Sequence, residues 1–139
     1  MERVYTAPLL DKLGVRPGMR IAIVGALHDD RDEAASFLAE LRERTTDITV
    51  GSPKPDTDLV FLAADSTDDL AALATIRPRL RPNGAVWVVS RKGKAATLRD
   101  VEVMAAAREN RLVDNKVVSF SLTRTTIRLV IPIALRARA

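Results

Sequence analysis

Residues 59–63 and 85–89 are apolar without polar alternation, and residues 19–24 form a short β-branched run entered by Pro17-Gly18 and left by Gly25. A strand that is apolar on both faces is one covered on both sides, so these runs predict a parallel sheet between two helical layers. Ile48-Thr49-Val50 reads as a further short strand, ended by Gly51-Ser52-Pro53-Lys54-Pro55. Between the strands, apolar residues recur at helical spacing. Leu9, Leu10 and Leu13 do so over residues 7–13, with Gly14 as a stop. Ala34, Phe37, Leu38 and Leu41 do so over 30–44, opened by Asp30 and Glu33 in capping-box spacing. Leu70, Leu73, Ala74 and Arg77 mark a helix over 66–79, and Leu98, Val101, Met104 and Ala105 mark one from 96 or 97 to 110. Pro82-Asn83-Gly84 reads as a turn. Two closing strands, 116–122 and 126–132, flank Thr123-Arg124-Thr125 as an antiparallel hairpin. The expectation is an α/β, three-layer α-β-α fold with a mostly parallel six-stranded sheet: one domain over 1–135 and a flexible tail over 136–139.

Composition narrows the chemistry. The 139 residues include no Cys and one His, which excludes disulfides, thiolate metal sites, a Cys nucleophile and any two-His motif. No metal site is predicted. No run reaches the roughly 18–20 apolar residues of a membrane span, and Met1-Glu2-Arg3-Val4 does not open a signal peptide. A cytoplasmic location is therefore the expectation. The 22 basic and 18 acidic residues leave a net charge of +4. The surplus falls after residue 111, where Lys116, Arg124, Arg128, Arg136 and Arg138 face only Asp114. A surplus that small suits an ordinary solvated surface.

Three stretches carry a resemblance. Leu13-Gly-Val-Arg-Pro-Gly-Met-Arg-Ile-Ala-Ile-Val-Gly25 is similar to the helix-turn-strand entry of class I S-adenosylmethionine-dependent methyltransferases. Leu80-Arg-Pro-Asn-Gly-Ala-Val-Trp-Val-Val89 resembles the Leu-x-Pro-x-Gly leader into that superfamily's fifth strand, and the closing hairpin resembles its terminal strand pair. Asp114-Asn-Lys-Val117 and Arg128-Leu-Val-Ile-Pro132 look like a family of short bacterial proteins known only as a domain of unknown function. The resemblance implies a reduced, Rossmann-like fold lacking one helix-strand unit, with strand order 2-1-4-5-7-6 in methyltransferase labels. It also implies S-adenosylmethionine as the cofactor to test. Against that cofactor, the loop Gly25-Ala26-Leu27-His28 has Leu27 where the superfamily has its second glycine, and Thr49-Val50-Gly51-Ser52 supplies no acid to hold a ribose.

In open parallel sheets ligands bind beyond the carboxyl ends of the strands. There the resemblance makes Gly25, Ala26, His28 and Asp65 the candidate cofactor-binding residues. Arg91, Lys92, Lys94 and Arg124 form a candidate anion-binding group, since Arg forks and Lys ammoniums suit phosphate. His28 is placed where a base would be useful, but beside Asp29 and Asp30 it also reads as a loop residue. Trp87 reads as core, and Lys116 as an edge-strand lysine that discourages sheet-to-sheet pairing. The favoured reading is a non-catalytic methyltransferase-like protein binding a small ligand or a protein partner at this edge. The alternatives are a methyltransferase with a degenerate cofactor loop and an RNA- or nucleotide-binding protein using the basic loop. Homodimerisation through a sheet edge or helix face is left open.

Overall fold

The computed structural model describes residues 8–25 and 31–136, without the side chains of 31–35. The elements in chain order are α1 (Leu9–Lys12), β1 (Ile21–Val24), α2 (Arg31–Arg44), β2 (Ile48–Val50), β3 (Thr57–Ala63), α3 (Leu73–Ile76), β4 (Leu80–Arg91), α4 (Asp100–Glu109), β5 (Val113–Ser119) and β6 (Arg124–Val130). Six strands form one sheet in the order β2-β1-β3-β4-β6-β5. The β1, β2, β3 and β4 ladders are parallel, and β6 runs antiparallel to both β4 and β5. This is the order expected from the resemblance, with no helix in the link from β2 to β3.

Strand alternation sorts the core into two layers. Val60, Leu62, Val86, Val88, Ile127 and Leu129 pack on one face with Leu70, Leu73, Ile76, Val103 and Ala107 from the α3 and α4 side. Ile21, Ile23, Phe61, Trp87 and Val89 pack on the other with Leu10, Leu13, Phe37 and Leu41 from α1 and α2. Phe37 meets Phe61 edge-on at 5.0 Å between ring centroids and Phe120 at 4.8 Å, within the range aromatic pairs favour. Trp87 is core, as its sequence context predicts, and its indole Nε1 donates to the Leu13 carbonyl at 3.0 Å.

Several boundaries differ from the sequence reading. The helix expected over 66–79 is a single α-turn, Leu73–Ile76, between two 3-10 segments. Pro78 stands in the second of these and has no N–H to continue an α-helical ladder. The last long helix opens at Asp100 rather than near 97, with the Glu102 carboxylate accepting the Arg99 N–H at 2.9 Å. Its buried residues are consequently Val103 and Ala107, while Val101, expected inside, is 59% exposed. Pro82-Asn83-Gly84 lies within β4, where four residues separate Leu80 from Ala85 opposite the one residue, Asp58, between Thr57 and Leu59 on β3. That bulge presses the Gly84 backbone against its neighbours.

The closing hairpin also shifts. Its bend spans 121–123, and Arg124 and Thr125, expected in the turn, open β6. The Ser121 hydroxyl accounts for this: it accepts the N–H groups of Thr123 at 3.2 Å and Arg124 at 3.1 Å, fixing the turn before Arg124.

Candidate functional site

The ends of β1, β3 and β4 and the start of β6 meet at one edge of the sheet, because β6 alone among these four runs the opposite way. Gly25 follows β1 with φ +87°, and a Cβ there would lie 2.9 Å from the Ala63 carbonyl oxygen. Glycine is the residue that accepts both that dihedral and that approach. The backbones of β1 and β3 are thereby held together just before Asp65.

Asp65 is the hub of the edge. Its Oδ1 accepts the Arg91 N–H at 2.9 Å, and its Oδ2 lies 3.9 Å from Nη1 of Arg124. Its own backbone takes part as well: the N–H donates to Asp69 at 2.9 Å and the carbonyl accepts the Thr97 hydroxyl. Arg124 faces Arg91 across the β4–β6 ladder and is 1% exposed. A buried guanidinium needs a nearby counter-charge, and the partly buried Asp65 carboxylate supplies it. The Arg124 that the sequence placed on an exposed turn is therefore inside the protein, binding the strand ends to one another.

The remaining cations stand outside this pair. Lys92 donates its N–H to the Thr123 carbonyl at 3.0 Å and its Nζ to the Ser119 hydroxyl at 2.8 Å, so it bridges β4 to the hairpin. Lys94 is exposed on the 3-10 turn Gly93–Ala95. Arg91, Lys92, Ala95, Leu122 and Thr123 line an open hollow of about 310 Å³. Leu122, 96% exposed, forms its apolar lip. The structure thus brings Gly25, Asp65, Arg91, Lys92 and Arg124 to one edge, with Lys94 on the turn that follows. Ala26 and His28 lie outside the described residues.

At the end of β2, Val50 is exposed, and Gly51 donates its N–H to the Ile23 carbonyl at 2.8 Å. No carboxylate stands on residues 49–52. Two acids nearby in sequence serve the opposite end of the sheet instead. Asp47 pairs with Arg20 at 3.0 Å, and Asp58 pairs with Arg81 at 3.0 Å while accepting the Arg20 N–H. Ser66, at the sheet edge, caps its own turn by accepting the Asp69 N–H at 3.2 Å.

No family model matches the chain. Among solved structures, it is similar to an S-adenosylmethionine-dependent methyltransferase from Aquifex aeolicus, with TM-score 0.61 and 13% identity over 88% of each chain. It is similar to a TehB-like S-adenosylmethionine-dependent methyltransferase from Corynebacterium glutamicum, with TM-score 0.58 and 14% identity over 88% of this chain and 85% of the other. It is also similar to magnesium protoporphyrin IX methyltransferase from Synechocystis, solved with bound S-adenosylmethionine, at TM-score 0.57 and 10% identity over 88% and 74%. The fold is Rossmann-like and methyltransferase-like. Among curated proteins, 30% identity over 118 residues links 73% of the chain to UDP-N-acetylmuramoylalanine--D-glutamate ligase of Thermobifida fusca. The chain spans 25% of that ligase's length.

Proposed function

We propose that this chain is a non-catalytic protein of methyltransferase-like fold that holds a small anionic ligand in the hollow beside Arg91, Lys92 and Lys94. The observation that carries the reading is the engagement of Asp65. Both of its oxygens are turned to Arg91 and Arg124, so the acid best placed at the edge works as a structural tie. The end of β2, with no acid, supplies nothing to hold ribose hydroxyls. The described residues of this edge do not fit S-adenosylmethionine.

Calorimetry with S-adenosylmethionine and S-adenosylhomocysteine is expected to show no binding. A dissociation constant in the low micromolar range for either would overturn the reading in favour of a methyltransferase, the reading that the solved neighbours support.

The likeness to a ligase named for a UDP-linked substrate favours a second reading, in which the anion is a nucleotide phosphate. Uridine diphosphate should then bind with an affinity that falls as salt rises. The triple variant Arg91→Ala, Lys92→Ala, Lys94→Ala should lose that binding. Arg124 is left intact in this test because its removal would disturb the core. Binding retained in the triple variant would refute the site.

A further inference from the structure

A second hollow, of about 190 Å³, lies on the α1 face of the sheet and is lined by Asp11, Lys12, Leu13, Gly14, Trp87, Lys116 and Arg128. Arg128 stands directly opposite Trp87 in the β4–β6 ladder, four residues along β6 from Arg124. At about 3.3 Å per strand residue, that puts it about 13 Å from the carboxyl edge. The two hollows are separate places.

The polar accounting in this hollow is one-sided. The carbonyls at the end of α1, which would ordinarily favour a cation, are already taken. The Trp87 indole donates to Leu13, and Lys116 Nζ reaches Lys12 at 3.5 Å. The Asp11 carboxylate is paired with Arg44 at 2.6 Å. Arg128 is partly buried, and its guanidinium has no hydrogen bond or ion pair with the described residues. Burial holds the Arg128 guanidinium below its ordinary value, and the neighbouring charge of Arg136 adds to the effect. A guanidinium fork and two lysines around a floor of fixed indole make a concave surface of net positive charge.

We propose that this hollow is an anion site that takes a phosphate-sized oxyanion on Arg128, Lys116 and Lys12. Arg128 supplies the planar fork that matches two oxygens at once, and the lysines supply mobile point charges. The hollow has room for such a group. Trp87 is too deeply buried to stack on a base, so recognition is of the oxyanion itself.

The test uses inorganic phosphate at constant ionic strength, with chloride as the control. Trp87 is the single tryptophan, and its indole N–H gives one resonance at the floor of the hollow. The expected result is a saturable shift of that resonance with phosphate and none with chloride. Arg128→Gln should weaken phosphate binding at least tenfold. The double variant Lys12→Gln, Lys116→Gln should weaken it several-fold. Lys92→Ala with Lys94→Ala, at the carboxyl edge, should leave it unchanged, which separates this site from the one proposed above. A shift that never saturates, or one that survives in Arg128→Gln, would overturn the proposal. If Arg128→Gln fails to fold, the double variant decides, since both lysines are exposed: unaltered affinity there would also overturn it.

Discussion

An ideal Cβ at Gly84 would lie 2.9 Å from the Asp58 carbonyl oxygen and 3.1 Å from those of Thr57 and Arg81. All three are backbone atoms, which have little freedom to retreat. Gly84→Ala is therefore expected to cost about 2 kcal/mol in a urea unfolding series, mainly by distorting the bulge against β3. Asp65 allows a sharper comparison. Asp65→Asn keeps an acceptor for the Arg91 N–H, whereas Asp65→Ala leaves that N–H and Arg124 without the carboxylate. The alanine variant should be the less stable of the two, at about 2 kcal/mol below the parent. Arg128 should behave in the opposite sense. Its folded state binds the proton less tightly than the unfolded chain does. The penalty is thus fully present through neutral pH and is relieved only as pH rises into the strongly alkaline range. After allowance for solvent screening, Arg128→Met should raise the melting temperature by about 1–2 °C at pH 7 without added phosphate.

At the scale of elements, α1 has only four residues, too few to be stable alone. It is docked by Leu10 and Leu13 and by the indole of Trp87, 74 residues further along the chain. Trp87→Phe keeps the ring packing but orphans the Leu13 carbonyl. A loss of about 1–2 kcal/mol is expected, with fluorescence-independent detection by circular dichroism. The central strands β1, β3 and β4 are legible in the sequence because each carries an unbroken apolar run. The hairpin turn was less so, since Ser121, rather than the Thr123-Arg124-Thr125 tripeptide, sets its position through two backbone N–H groups. Two residues of slippage moved Arg124 from solvent to interior. The register of α4 was missed for a related reason: Leu98 is buried ahead of the helix and so misled the periodicity. The Arg128 hollow was not foreseen either. The available signal is Arg128 itself, set between Ile127 and Leu129 of β6 and opposite an inward tryptophan.

Across the whole molecule, the order of strands in space departs from their order in sequence in one consequential place. β6 sits between β4 and β5, so β4 has no neighbour on that side until the last strand arrives. A chain lacking residues 112–139 would leave one edge of the β4 backbone unpaired and would uncover Val86, Val88, Trp87 and Val89. Such a truncation is expected to lose its cooperative thermal transition and to aggregate. A sharp melting curve from the truncated chain would contradict that account. The same arrangement bears on synthesis. Translation at about 5–20 residues per second separates the end of β4 from the end of β6 by roughly 2–8 s. During that interval the nascent chain carries an adhesive, half-finished flank that any passing strand can copy. Protection by a holding chaperone is most needed in those seconds.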